Sequence, residues 1–87
     1  MSCENQPIQL VFEKTCNMCP EQYDVYYQGD AVAYVRLRWG WLIAEMGNEE
    51  IYCHKFDNEY KGEFDNEAER IQYLHKIEKA IMEVLNG

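Results

Sequence analysis

The chain holds a single serine, Ser2, and two histidines, His54 and His75, among its 87 residues. With so few of these groups there is no serine–histidine pair for nucleophilic catalysis, and catalysis is not expected. Its five glycines, at positions 29, 40, 47, 62 and 87, are isolated from one another, so no glycine-rich loop is present to cradle phosphates. The longest apolar run is Trp41 to Ala44, extended by Trp39 across Gly40, far below the ~20 residues of a membrane span. The N-terminal residues, Met1-Ser2-Cys3-Glu4-Asn5-Gln6-Pro7, carry no basic region followed by an apolar stretch of signal-peptide length, so a cytoplasmic protein is expected. Bases are scarce as well. Eight of them face sixteen acids, leaving a net charge of −8 and a pI near 4.6, which argues against a partner held by phosphate neutralisation. Direct nucleic-acid binding is therefore not expected.

What is present is the composition of one small globule. Hydrophobic residues make up 47%, aromatics 14% and charged residues 28%, and residues 1–87 are read as a single domain. Area scaling predicts that roughly 64% of the unfolded chain's surface is buried on folding, so a core of this size has little stability to spare.

The periodicities predict an α+β fold. Residues 8–13 place Ile8, Leu10 and Phe12 on one side of a strand, and residues 22–27 do the same with Tyr23, Val25 and Tyr27. Gly29-Asp30 marks a hairpin, after which Val35 and Leu37 oppose Arg36 and Arg38 in a third strand. Gly40 either bends one long strand or closes a second hairpin; a reversal is the better reading, because an unbroken strand over 31–46 would be unusually long. Residues 46–50 read as a further turn and 51–56 as the last strand. From Asp65 the period becomes helical, with Ile71, Leu74, Ile77 or Glu78, Ile81 and Leu85 in one stripe, Asp65 or Asn66 as the cap and Glu69 in a capping-box position. The expected architecture is a small antiparallel sheet of four or five strands with one C-terminal helix packed across it.

Cys16-x-x-Cys19 is the sharpest chemical motif, since two residues between thiols let a tight turn aim both sulfurs at one tetrahedral metal. Two further ligands are needed. Cys53 is the expected third, because its strand runs toward the end of the sheet that holds the Cys16 to Cys19 turn. His54, its neighbour, alternates to the other face. Cys3 ranks first as the fourth ligand if the N-terminal segment folds back, ahead of His75 and His54. One structural zinc ion on Cys3, Cys16, Cys19 and Cys53 is thus the leading expectation. Buried structural thiols and a thiol redox pair are the alternatives. The redox reading is weakened by Pro20-Glu-Gln-Tyr-Asp-Val-Tyr-Tyr27, which is too aromatic to form the helix that activates the first thiol of a glutaredoxin.

Charge is concentrated. Residues 1–44 sum to −2, 45–69 to −7 and 70–87 to +1. Asp57, Glu59, Glu63 and Asp65 fall in the one long connection, where they either keep a small protein soluble or form an acidic surface that docks on a basic groove. Arg36 and Arg38 share one strand face, read mainly as solvated.

A short acidic chain, one sheet with one helix, the Cys16-x-x-Cys19 pair with Cys3 and Cys53, and acids clustered from Glu45 to Glu69 together resemble the small phage-encoded anti-CRISPR proteins. The resemblance is one of size, charge and architecture. It implies a non-catalytic inhibitor that occupies a basic surface of a nucleic-acid-binding host protein, such as a type II CRISPR RNA-guided nuclease, through Asp57, Glu59, Glu63 and Asp65. A monomer contacting one protein partner is expected. A structural or regulatory zinc module of a mobile element, with no inhibitory role, is the alternative.

Overall fold

In a computed structural model, which describes residues 10–16 and 21–87, five strands precede one helix: β1 Leu10–Cys16, β2 Glu21–Tyr27, β3 Asp30–Arg38, β4 Trp41–Met46, β5 Glu49–Lys55 and α1 Glu67–Asn86. The strands form one antiparallel sheet in the order β1-β2-β3-β4-β5. This α+β arrangement is the expected one. From β2 to β5 each strand pairs with its neighbour in sequence because the turns are short and their residues supply the needed backbone. Gln28 (φ 53°) and Gly29 (φ 88°), and then Trp39 (φ 55°) and Gly40 (φ 78°), both give two successive left-handed residues, the geometry of a type I′ hairpin turn. Gly40 therefore closes a hairpin. Gly47 (φ 65°) begins the third turn, which is shorter than the expected 46–50, and β5 runs Glu49–Lys55 where a strand over 51–56 was expected.

The two-residue alternation buries one face. Tyr23 and Val25 of β2, Val35 and Leu37 of β3, and Leu42 and Ala44 of β4 meet Ile77 and Ile81 of α1, with Phe64 closing one end. Six of these side chains, Val25, Val35, Leu37, Leu42, Ile77 and Ile81, are almost wholly enclosed. Each contributes about 1.5–3 kcal/mol of hydrophobic stabilisation. Phe56 and His54 from the β5 side and Phe64 from the connection surround Tyr73 of α1, with ring centroids 5.0, 4.9 and 6.1 Å away.

The helix begins as its cap sequence requires. Asn66 is extended (φ −159°) and its side-chain oxygen accepts from Glu69 N at 2.8 Å. Glu69 reaches back to the amide of Asp65, one residue before the cap, at 2.7 Å. At the other end, Gly87 N donates to Glu83 O at 2.9 Å. One member of the predicted stripe departs from it: Ile71 is 60% exposed. The buried line instead runs through Ile77 and Ile81, with Tyr73, Leu74 and Leu85 beside it. Ile71 faces a groove shared with Leu10 and Phe12, where the helix overhangs the β1 edge.

Candidate functional site

The β3–β4 turn, the start of β2 and the end of β5 meet at one end of the sheet, and the 56–66 connection is fastened across them. Phe56 N donates to Gly40 O (2.7 Å), Gly40 N to Lys61 O (2.8 Å) and Glu21 N to Gly62 O (2.7 Å). Within the connection, Asn58 accepts from Tyr60 N through its side chain (2.9 Å) and from Lys61 N through its carbonyl (3.1 Å). The approach is close: a Cβ on Gly40 would lie 2.6 Å from Asn58 O. Hence glycine is required there on two grounds, its left-handed φ and the lack of room.

Two charged clusters hold this connection to the body. Glu21 is 2% exposed, and its carboxylate accepts from Arg70 Nε (2.8 Å), from Phe64 N (3.1 Å) and from the hydroxyl of Tyr23. Burial by itself would raise the Glu21 pKa. The hydrogen bonds from Arg70, Tyr23 and Phe64, with the Arg70 charge, outweigh it and hold the carboxyl below its ordinary value. Tyr23 is pushed the other way, by burial and by the adjacent Glu21 carboxylate. Arg70 also pairs with Glu67. In the second cluster, buried Lys61 lies 2.7 Å from Asp65 and 3.0 Å from Glu69 and covers the Phe56 ring at 5.1 Å. Burial would lower the Lys61 pKa, but the two carboxylates raise it. No buried side-chain nitrogen or oxygen among the described residues is left without a partner.

The predicted docking acids divide on this geometry. Asp57, Glu59 and Glu63 are exposed on the fastened connection. Asp65 is exposed too, but one of its oxygens is already engaged by Lys61. Its charge is partly spent inside the fold.

The cysteines also divide. Cys3 and Cys19 lie outside the described residues. Cys16 ends β1 and Cys53 lies in β5, the two opposite edge strands. In register they share one row, Cys16–Gln22–Arg36–Ile43–Cys53. Four strand spacings separate them, about 19 Å across the sheet. Two sulfurs on one zinc ion lie only about 4 Å apart, so Cys53 does not fit a site shared with Cys16. Strand direction did place both at the same end of the sheet; strand order put them at opposite edges. Partial desolvation, then the charge and hydrogen bond of Glu50, push the Cys53 thiol up. Neither histidine joins it. His54 stacks in the aromatic cluster on the helix side, 3.4 Å from the Tyr73 hydroxyl, and His75 is on α1 beside Glu78 (3.5 Å). Among the described residues, no group of three or more His, Cys, Asp or Glu is placed to hold a metal ion.

The face of the sheet away from α1, which no other described element covers, carries more than the solvated arginines expected of it. Arg36, Arg38, Trp39, Trp41 and Ile43 line a shallow depression of about 240 Å³, with Arg38 over the Trp39 ring (5.9 Å) and Lys55 over the Trp41 ring (5.8 Å). Two arginines and two tryptophans within six residues were the available signal. Glu21 was missed for a different reason: it shares parity with Tyr23 and Val25, but the second strand was expected to begin at Gln22.

No family model, curated protein or solved structure matches the chain. No helix among the described residues is long and apolar enough to cross a membrane.

Proposed function

We propose that the protein is a non-catalytic binding protein that docks the acidic 56–66 connection on a basic surface of another protein, with Asp57, Glu59 and Glu63 as principal contacts and Asp65 at their rim. One observation carries this reading: the connection is hydrogen-bonded to β2 and to the β3–β4 turn while its acids remain outside. A display already ordered before binding loses little conformational entropy on docking. Its charge would speed encounter with a surface lined by lysine and arginine. Such surfaces belong to nucleic-acid-binding proteins, and the resemblance in size and acidity to anti-CRISPR proteins suggests a type II RNA-guided nuclease as the partner.

The test is binding of the full chain to a purified nuclease of that type, measured against salt and repeated with Asp57→Asn/Glu59→Gln/Glu63→Gln. The expected result is an affinity that falls as salt rises and drops by about tenfold or more in the triple variant, since each 1.4 kcal/mol is one decade. Absence of binding, or binding indifferent to the three substitutions, would count against the reading. A zinc staple enters only as a separate proposal, on Cys16 and Cys19 with Cys3 and a fourth ligand other than Cys53. Native mass spectrometry before and after chelation tests it. Cys53→Ser is expected to keep the wild-type metal content, whereas a loss would contradict the placement of Cys53 on the far edge.

A further inference from the structure

We infer that the open face of the sheet is a self-association surface whose occupant is a second copy of this chain, packed face to face about a two-fold axis running across the strands. The charges on this face are ordered in rows. Nearest the β3–β4 turn lies Arg38–Trp41–Lys55, and next to it Gln22–Arg36–Ile43–Cys53. The following row is acidic, Glu13–Asp24–Tyr34–Glu45–Glu50. Beyond it the face turns apolar and aromatic at Val11 and Tyr26. Among the described residues, no ion pair within the protomer joins the arginines to the acidic row.

A two-fold axis lying between the Arg36 row and the Asp24 row reverses strand direction and keeps lateral position. It therefore lays Arg36 over the partner's acidic row, between the partner's Asp24 and the partner's Glu45, and the same contact recurs with the copies exchanged. It also overlaps opposite ends of the two faces, with Trp41 remaining over the partner's β4. Two sheets aligned this way are an ordinary sandwich packing.

Trp39 is an independent pointer. It is 60% exposed and sits at φ 55°, in the left-handed region that a bulky side chain rarely occupies. Asparagine or glycine would close the turn with less strain, and the core makes no use of the indole. An exposed tryptophan retained at such a cost is what an interface anchor looks like.

The face spans about 19 Å across five strands and about 20 Å along them, which places the contact among the smaller interfaces. Association is then concentration-dependent. The −8 charge on each copy opposes it at long range, so it is read at about 0.15 M salt, where distant charges are screened but contacting pairs are less so.

The experiment is sedimentation equilibrium of the full chain from micromolar to millimolar concentration. The expected mass rises from 10.4 kDa to twice that value. Arg36→Glu/Arg38→Glu and Asp24→Lys/Glu45→Lys are each expected to halve the mass back to a monomer, with circular dichroism confirming that both remain folded. Mixed together, the two variants are expected to regain the doubled mass, because each supplies the charge the other lost. A wild-type chain that stays monomeric overturns the inference. So does a dimer that survives Arg36→Glu/Arg38→Glu, or a mixture of the two folded variants that stays monomeric. A monomer that instead binds a polyglutamate peptide through these arginines also overturns it, by assigning the face to another occupant.

Discussion

The two faces of this sheet carry charge in opposite ways. Under the helix, Glu21 and Arg70 are joined to each other and to Tyr23 and the Phe64 amide, so nothing there is left to bind a partner. On the open face, Arg36 and Arg38 stand beside exposed indoles without an ion pair among the described residues. Charge on the covered side specifies how helix, connection and sheet fit together. Charge on the uncovered side has no such task and remains available for contact. A residue's burial and partners, rather than its type, decide which of these it does.

Neighbours on one strand test that contrast most directly. Leu42 and Ile43, side chains of equal size, occupy opposite faces, core against open. Leu42→Ala is expected to destabilise the fold by about 3 kcal/mol, through lost burial and a residual cavity. Ile43→Ala should cost less than about 1 kcal/mol. Urea unfolding of both variants measures the difference, and equal costs would mean that the open face is covered.

Removing the hub of the covered side comes next. Glu21→Ala leaves Arg70 with Glu67 as its remaining carboxylate partner and deprives the Tyr23 hydroxyl and the Phe64 amide of their acceptor, at an expected cost of about 2–3 kcal/mol. The pH dependence follows from the lowered Glu21 pKa. The unfolded chain binds this proton more readily than the folded one, so the stabilisation is complete above the ordinary carboxylate value near 4.5 and is lost as pH falls through the lower folded value. Unfolding midpoints of wild type and Glu21→Gln at a series of pH values are expected to converge as pH drops below that range. A constant gap would remove Glu21 from the explanation.

At the seam between the two faces, Gly40→Ala sets a methyl against Asn58 O at a left-handed φ. A loss of about 1–3 kcal/mol is expected, together with faster amide exchange at Lys61 and Gly62, whose turn contacts would shift. The smallest effect has the opposite sign. Trp39→Asn relieves left-handed strain and is expected to stabilise the protomer by about 0.5–1 kcal/mol. The same substitution should weaken self-association, a split that a purely structural tryptophan would not produce.

Much of the fold was legible because its signals are local. Asn66 with Glu69 marked the helix start, and the glycines at 29, 40 and 47 marked three reversals. Tyr23, Val25, Val35 and Leu37 declared the buried face by alternation. The sites were less legible because their geometry joins distant parts of the chain. Glu21 meets Arg70 across 49 residues and Phe64 across 43. No period or spacing reveals such a pairing. Cys53 shows the same limit, since its direction along the sheet could be inferred while its edge could not. Ile71 had the right spacing for the core and still lies outside it, because the helix is set over β2 to β5 and overhangs β1.

By itself, then, the sequence determined an antiparallel sheet of four or five strands, its hairpin turns, the capped helix and the surplus of acid. These follow from backbone preferences and from the two- and 3.6-residue periods, which act over a few residues at a time. Only the tertiary structure decided that Cys53 lies an entire sheet width from Cys16, that Lys61 and Glu21 are buried in paired clusters, and that Arg36, Arg38 and the two tryptophans gather on an uncovered face. Those outcomes depend on strand order and register, which are set by many contacts at once rather than by any one stretch of chain.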